Sequence, residues 1–240
     1  MRQDIRGRVA CITGAGRGIG RAIAVGLAEE GCHVALLARR EEEVAETARL
    51  CRERAVRALP LPTDVTDAEA LAAAIERCVE ELGGLNVLVN NAGIFDWASA
   101  DEADPDVWDH LIDVNLKSAM HATRLALPHI KRGGPGAVVF IASMAGKAAF
   151  GMNAAYVASK HGMVGFAGSV FQDVRDHDIK VCAVCPGLVN AGAARRMDVP
   201  PGKFEEFIQP EDVAEAVRFV VTSPSTVCPT EILLNPQKTP

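Results

Sequence analysis

Short apolar stretches alternate with longer helical segments along the whole chain, and this alternation limits the folds available to it. Between two such stretches Leu71, Ile75 and Val79 recur at four-residue steps, which is the one-faced pattern of a helix packed on a core. Repeated strand–helix–strand units predict an α/β protein with a doubly wound, seven-stranded parallel sheet flanked by helices. The predicted strands are Arg8–Ile12, His33–Leu37, Arg57–Leu61, Asn86–Asn90, Gly136–Ala142, Ile179–Cys185 and Glu231–Leu234.

A single domain over residues 1–240 is expected, because no repeat, low-complexity tract or Pro/Ser-rich linker divides the sequence. The chain carries 25 basic and 31 acidic side chains, a net charge of −6, which disfavours a nucleic-acid partner. The apolar runs Val34–Ala38 and Ala137–Ala142 are far shorter than the roughly 20 residues of a membrane-spanning helix. The polar start, Met1–Arg8, does not resemble a secretory signal. We therefore expect a cytoplasmic protein with no membrane partner.

Seven cysteines, an odd number, are scattered without the density of a disulfide scaffold, which favours a reducing compartment. Cys182 and Cys185 form a C-x-x-C pair, but they fall inside a predicted strand, where residues three apart point to opposite faces. Buried strand cysteines are therefore favoured over a redox or metal pair, and no metal site is predicted.

A glycine-rich segment, Thr13–Gly20, joins the first predicted strand to the first predicted helix. Its glycines Gly14, Gly18 and Gly20 follow the spacing G-x-x-x-G-x-G. Glycines at such a turn let backbone N–H groups approach a diphosphate at the helix N-terminus. Glycine also serves ordinary turns, so the strand before the segment and the helix after it carry the interpretation. The segment predicts a dinucleotide site in a Rossmann-like fold.

The glycine pattern, with a threonine directly before it, resembles that of the short-chain dehydrogenase/reductase family. Further motifs of that family follow in its order over about residues 7–235, namely Asp64-Val65, Asn90–Gly93, Asn115, Ser143, Tyr156–Lys160 and Pro186-Gly187. The resemblance implies a nicotinamide dinucleotide as cofactor. The residues that it implies for cofactor binding are Gly14, Gly18, Ile19, Gly20, Asp64, Val65, Asn91, Ala92, Gly93, Tyr156, Lys160, Pro186 and Gly187.

The end of the second strand predicts which dinucleotide is preferred. An acidic side chain there would bind the adenosine ribose hydroxyls and repel a 2′-phosphate, but the chain reads Ala38-Arg39-Arg40. Arg39, with Arg17 of the glycine loop, suits charge-assisted hydrogen bonds to that phosphate, so we predict NADP(H) over NAD(H). The alternative is that Arg39 and Arg40 form a solvated turn before the acidic helix start Glu41–Glu43.

Tyr156, the only tyrosine of the chain, and Lys160 are four residues apart, which places them on one helix face. A nearby ammonium favours the phenolate, so we expect the pKa of Tyr156 to lie below its ordinary value of about 10. The resemblance implies that Tyr156 exchanges the proton, that Ser143 binds the substrate oxygen, and that Asn115 holds a relay water beside Lys160. Each residue alone has an ordinary structural explanation, but the ordered set predicts hydride transfer to or from a carbonyl or secondary alcohol.

The chain departs from the family pattern after Pro186-Gly187. Ala191 replaces a threonine that contacts the nicotinamide carboxamide in the family, so Asn190 or the backbone amide of Val189 is expected to serve instead. The segment 188–209 is predicted to form a lid over an apolar substrate, with a plain surface loop as the alternative. Its large apolar side chains include Met197, Phe204 and Phe207.

Oligomer formation is expected from the resemblance. The predicted helices Val107–Ile130 and Ala154–Asp176 match the usual interface of the family, and the second carries small residues that permit close approach. The C-terminus lacks the Gly-rich segment that builds tetramers in many members, which disfavours a tetramer built through that edge. We predict a homodimer or homotetramer.

Three functions are considered for the site. The first is a carbonyl reductase or alcohol dehydrogenase acting on a small molecule, and the second is a reductase of 3-oxoacyl thioesters on acyl carrier protein. The third, from a different class, is a non-catalytic dinucleotide-sensing protein. A sensor has no need of Ser143, Tyr156 and Lys160 together, which makes it the remote alternative.

Overall fold

Seven parallel strands form one sheet in a computed structural model that describes residues 2–196, 198–200 and 202–238. The strands are β1 (Val9–Thr13), β2 (His33–Ala38), β3 (Ala58–Pro62), β4 (Val87–Asn90), β5 (Gly136–Ile141), β6 (Ile179–Pro186) and β7 (Glu231–Leu234). Their spatial order is β3-β2-β1-β4-β5-β6-β7, and each neighbouring pair is parallel. Every predicted strand is confirmed to within one residue at each end.

Helices cover both faces of the sheet. They are α1 (Gly18–Glu29), α2 (Glu41–Arg52), α3 (Ala68–Leu82), α4 (Pro105–Ile112), α5 (Ser118–Arg132), α6 (Ala154–Val174) and α7 (Pro210–Thr222). On one face Ile23 of α1, Val44 of α2 and Val217 of α7 are buried in one core cluster. On the other face Ile75 of α3 and Met163 of α6 are buried in a second cluster. Burial of each such side chain contributes roughly 1.5–3 kcal/mol, so both layers hold the sheet.

Local signals in the sequence set the helix ends. Asp67 caps α3 by accepting hydrogen bonds from the backbone N–H groups of Glu69 and Ala70, both at 3.0 Å. Gly83 ends the same helix in the left-handed conformation, with φ of 91°. Asp104 caps α4 in the same way, and Pro105 occupies the first helical position.

The predicted helix Val107–Ile130 is wrong in one respect, because it is not a continuous α-helix. A π-helical turn, Asp113–Lys117, separates α4 from α5. Such a turn accommodates one extra residue, and Asn115 lies within it as a fully buried side chain. Apolar periodicity cannot reveal this irregularity, since the residues on both sides of it remain helical.

Cys182 and Cys185 point to opposite faces of β6, as predicted, because each belongs to a different core cluster. Both thiols are buried and free. None of the helices formed by the described residues is long and apolar enough to cross a membrane.

The strand order reverses at β1, which lies between β2 and β4. Chain connections leave the carboxyl end of β1 toward one side and that of β4 toward the other, and this divergence opens a crevice at that edge of the sheet. Ligands of doubly wound sheets bind in such a crevice. The residues that follow β1, β2, β4 and β5 are therefore the ones to inspect for a site.

Candidate active site

The glycine loop between β1 and α1 requires glycine both for its backbone conformation and for its close packing. Gly14 has a φ of 66° and Gly18 a φ of 53°, a region that residues other than glycine rarely adopt. A Cβ on Gly20 would lie 2.2 Å from the carbonyl oxygen of Gly14, so the loop packs directly on the first turn of α1. Arg17 is the N-cap residue of α1, and its side chain makes no capping hydrogen bond. The first backbone N–H groups of α1 are therefore available to an anion.

Asn91 ties the carboxyl end of β4 to this loop. Its Nδ2 donates to the carbonyl oxygens of Thr13 at 2.9 Å and Gly14 at 3.2 Å. The Thr13 hydroxyl oxygen in turn accepts from the backbone N–H groups of Asn91 and Ala92, both at 3.0 Å. Gly93 follows, and a Cβ there would lie 3.3 Å from Asn115 Oδ1 and 3.8 Å from Lys160 Nζ. These hydrogen bonds hold the carboxyl ends of β1 and β4 in fixed positions relative to each other.

Asn115 joins three elements through its carboxamide. Its Oδ1 accepts from the backbone N–H of Ile94 at 2.7 Å. Its Nδ2 donates to the Ile94 carbonyl oxygen at 2.9 Å and to Ser159 Oγ on α6 at 3.2 Å. The π-helical turn therefore directs Asn115 inward, where it fixes the segment after β4 against the helix that carries Tyr156.

Ser143, Tyr156 and Lys160 converge at the carboxyl end of β5. Ser143 lies two residues beyond the strand and accepts from the backbone N–H of Ala145 at 3.1 Å. Tyr156, in the first turn of α6, shares a hydrogen bond with Ser143. Lys160 Nζ lies 5.7 Å from the centre of the Tyr156 ring and donates to the carbonyl oxygen of Ile141 at 2.9 Å.

Burial sets the protonation of this cluster. It raises the pKa of Tyr156, and the hydrogen bond from Ser143 lowers it by a smaller amount. The expectation of a lowered tyrosine pKa is therefore wrong for the free protein, because desolvation of the phenolate outweighs the favourable contacts. Burial also lowers the pKa of Lys160 to about 8. At neutral pH the phenol is protonated, so Tyr156 can donate a proton.

The charged groups at the end of β2 differ in their surroundings. Arg39 is exposed. The pKa of Asp64 is lowered chiefly by the hydrogen bond that its carboxylate accepts from the backbone N–H of Thr66 at 3.0 Å, and to a smaller extent by the charge of Arg39. Arg40 is also exposed, but its Nη1 lies 2.6 Å from Glu43 Oε1. Arg17 is exposed on the glycine loop. Arg17 and Arg39 are thus the two exposed arginines near the end of β2 in addition to Arg40, which pairs with Glu43.

Exposed apolar side chains lie on the segment after β4 and before the start of α6. The Phe95 ring meets the Tyr156 ring edge-on at 4.9 Å and lies 6.0 Å from Trp97, of which 64% is exposed. A parallel β-bridge between Ala98 and Asn153 joins this segment to the start of α6. We call Phe95, Trp97, Phe150 and Met152 the apolar wall; all four are exposed.

The segment 188–209 is closed at its base. Val189 forms a β-bridge with Ile208, and Asn190 Nδ2 donates to Gln209 Oε1 at 2.9 Å. Phe204 and Phe207 meet edge-on at 5.4 Å inside the segment, whereas Met197 lies outside the described residues. Ala191 reaches the glycine loop, because its Cβ lies 3.3 Å from the position of a Cβ on Gly18. The segment therefore passes beside the N-terminus of α1.

A family model described as short chain dehydrogenase matches residues 8–199, which is most of the chain. The chain belongs to the short-chain dehydrogenase family. The resemblance seen in the sequence is thereby confirmed, and so is the enzyme class of a nicotinamide-dependent oxidoreductase.

Relatives of this short-chain dehydrogenase match nearly its whole length. An uncharacterized oxidoreductase of Staphylococcus aureus strain MW2 is 31% identical over 229 residues, which cover 95% of this chain and 97% of the relative. A carveol dehydrogenase from Mycobacterium avium in complex with NAD has a TM-score of 0.90 at 28% identity, covering 97% of both chains. A metagenomic short-chain oxidoreductase in complex with NADP has a TM-score of 0.85 at 32% identity, covering 99% of this chain and all of the other.

Several residues of this short-chain dehydrogenase were not singled out by sequence reasoning. Phe95 and Trp97 could have been found from their position directly after the Asn90–Gly93 motif. Asn153 could not have been found from the sequence. It is buried, and its Oδ1 has no hydrogen-bond partner among the described residues. The sequence shows Glu43 only as part of an acidic helix start, whereas in the structure its carboxylate lies against the glycine loop.

Proposed function

We propose that this short-chain dehydrogenase is an NADP(H)-dependent oxidoreductase that interconverts an uncharged carbonyl compound and its secondary alcohol. The observation that carries the proposal is the convergence of Ser143, Tyr156 and Lys160 in a fold whose glycine loop precedes an uncapped helix start. The loop suits a dinucleotide, since Gly14 and Gly18 hold it in a conformation that glycine favours and the start of α1 is left for an anion. A bound nicotinamide supplies the hydride that forms the new C–H bond at the carbonyl carbon.

The three side chains divide the proton chemistry. In reduction Tyr156 gives its hydroxyl proton to the carbonyl oxygen, and in oxidation the phenolate takes that proton back. Ser143 donates a hydrogen bond to the same oxygen as negative charge develops on it. Lys160, protonated below about pH 8, stabilises the phenolate by its charge. Asn115 positions the helix and the segment after β4, and we assign to it the water that links Lys160 to solvent.

The cofactor contacts follow the strand ends. We assign Gly14, Gly18, Ile19 and Gly20 to the diphosphate, Asp64 and Val65 to the adenine, and Asn91, Ala92 and Gly93 to the neighbouring ribose, which Tyr156 and Lys160 also approach. Pro186, Gly187 and Val189 are assigned to the nicotinamide. Asn190 is less suited than Val189, because its amide group already donates to Gln209. Arg17 and Arg39 are assigned to the 2′-phosphate.

We expect Arg39→Asp to reverse the cofactor preference. The substitution replaces an attractive charge by a repulsive one, so the ratio Kd(NADH)/Kd(NADPH) should fall by about 10- to 100-fold. Titration of the purified protein with each cofactor, followed by its fluorescence, measures the ratio. Arg2→Asp, at an exposed site before β1, is the matched control. A ratio that stays within twofold of the wild type would show that Arg39 is a solvated turn residue.

The apolar wall supports an uncharged substrate. Exposed apolar groups beside a catalytic side chain, here Phe95 and Trp97, favour a ligand that covers them. The segment that carries Phe95 and Trp97 is also rich in carboxylates, which repel anionic ligands such as an acidic carrier protein. Those carboxylates are Asp96, Asp101, Glu102 and Asp104. We therefore favour a ring-bearing ketone or its alcohol over the 3-oxoacyl thioester.

Trp97→Ala is expected to raise KM for an aryl ketone by about 3- to 10-fold with little change in kcat, since a ring contact is lost away from the reacting atoms. A small aliphatic ketone should be affected less. Steady-state rates for wild type and variant measure both constants. Phe219→Ala, an exposed aromatic change on α7, is the matched control. If both ketones respond equally, the wall does not contact substrate.

The decisive experiment combines cofactor titration with a carbonyl screen. NADPH binding followed by its oxidation on addition of a ketone supports the proposal. Turnover restricted to acyl-thioester substrates would favour the second function, and tight cofactor binding without turnover on any carbonyl would favour the sensing protein.

We treat the chain as one domain in which 188–209 is the substrate lid, supported by the bridge that closes its base. A homodimer or homotetramer is supported by open space around Gly165 and Gly168 on α6. Seven free thiols support a reducing, cytoplasmic location.

A further inference from the structure

Glu43 lies where the glycine loop, the end of β2 and the start of α2 meet. A Cβ on Gly16 would lie 2.9 Å from Glu43 Cβ and 3.0 Å from Glu43 Oε2. The same point lies 3.4 Å from the Cβ of Ala38, the last residue of β2. Because residue 16 is glycine, the Glu43 carboxylate can reach the loop. Its location is not apparent in the sequence, which places Glu43 five residues beyond the strand.

The loop is fixed in this position by its own carbonyl group. The Gly16 oxygen accepts from Arg21 Nη2 at 2.6 Å, from Arg21 Nε at 3.1 Å and from Thr47 Oγ1 at 3.3 Å. Thr47 lies one helical turn beyond Glu43 on α2, and its hydroxyl also donates to the Glu43 carbonyl oxygen at 3.0 Å. The start of α2 is thus bound to the glycine loop, so the carboxylate is held beside it.

In a doubly wound nucleotide fold the adenosine ribose binds between the glycine loop and the end of β2. An acid at that place accepts hydrogen bonds from ribose hydroxyls and repels a 2′-phosphate. Glu43 also holds Arg40, with Nη1 to Oε1 at 2.6 Å, so that this arginine is drawn toward the carboxylate. The side chain of Glu43 is 26% exposed, which leaves the carboxylate accessible.

We propose that Glu43 restrains the preference for NADP(H) that Arg17 and Arg39 create. Its carboxylate accepts from the ribose hydroxyls of NAD(H), opposes the 2′-phosphate of NADP(H), and keeps Arg40 from contacting that phosphate. The proposal rests on the dinucleotide site of the proposed function, but it does not depend on which cofactor the wild type prefers.

Glu43→Gln is expected to raise Kd(NADH)/Kd(NADPH) at least about fivefold, because a charge is removed beside a phosphate of about −1.5 to −2. The same change should appear with two ligands that lack the nicotinamide, adenosine 2′,5′-bisphosphate and 5′-AMP. The shift in unfolding temperature that each ligand causes measures its binding. Glu42→Gln, an exposed neighbour on the same turn, is the matched control. The effect should shrink in high salt.

A ratio that moves less than twofold, or that moves equally in Glu42→Gln, would overturn the proposal. Arg40→Gln added to Glu43→Gln should cancel part of the gain, and a full gain in the double variant would overturn the role given to Arg40. If the wild type prefers NADH and Kd(NADH)/Kd(NADPH) still rises in Glu43→Gln, the proposed NADP(H) preference is wrong but the role of Glu43 stands. Failure of a folded wild type to bind either cofactor would overturn both.

Discussion

Tyr156→Phe is expected to lower kcat about 1000-fold for a ketone that the wild type reduces, because the variant retains the ring but has no proton to donate. The Phe95 contact depends on the ring and not on the hydroxyl, so packing should be preserved. Cofactor affinity should therefore stay within about twofold of the wild type. Steady-state kinetics with NADPH, together with the fluorescence titration, measure both quantities.

The raised pKa of Tyr156 adds a pH dependence to this expectation. The protonated phenol is the donor in reduction, so loss of the phenol proton should limit reduction only above pH 10. The loss of the Lys160 charge near pH 8 should be seen first. The variant should lack this dependence on the phenol. A Tyr156→Phe enzyme within tenfold of wild-type kcat would remove Tyr156 from the mechanism.

Lys160→Met is expected to abolish turnover and, at neutral pH, to stabilise the fold. The Lys160 pKa is about 8 in the folded chain and 10.5 as an ordinary lysine, so the unfolded chain binds more protons between these values. The cost of burying the ammonium is fully present below pH 8 and fades as the pH rises toward 10.5. Removal of the amine should increase the free energy of unfolding at pH 7 by about 1 kcal/mol, after the loss of the charge-assisted Ile141 hydrogen bond worth about 1.5–3 kcal/mol.

Denaturant titrations at pH 7 and near pH 10 test this prediction. The gain should be present at the lower pH and should disappear at the higher one, while kcat at pH 7 falls more than about 100-fold. Lys117→Met, at an exposed lysine that pairs with Asp113, is the control for loss of a charge. A Lys160→Met protein that is less stable than the wild type at pH 7 would show that the hydrogen bond outweighs the desolvation cost.

Much of the fold could be predicted because its signals are local. The strand limits follow from apolar runs bounded by polar residues, and capping residues such as Asp67 and Asp104 lie beside the helices they start. Strand periodicity alone predicts that Cys182 and Cys185 point to opposite faces of the sheet. The π-helical turn around Asn115 could not be predicted, since it depends on contacts with Ile94 and α6.

The candidate site divides in the same way. Tyr156 and Lys160 share a helix face by spacing, and the structure brings Ser143 to them from the end of β5. The direction of the Tyr156 pKa shift was missed, because burial depends on the packed neighbours and not on residue type. The contact of Glu43 with Gly16 is not predictable for a related reason: it joins α2 to a loop that is 27 residues away in sequence.

The reversal of strand order at β1 also separates the residues that select the dinucleotide from those that contact the substrate. On the proposed assignment, the residues that choose the dinucleotide all precede residue 66, whereas those that contact substrate all follow residue 94. An exchange of cofactor therefore requires changes only in the first quarter or so of the chain, and a new substrate requires none there. Lineages that inherit this architecture can alter one preference without first losing the other.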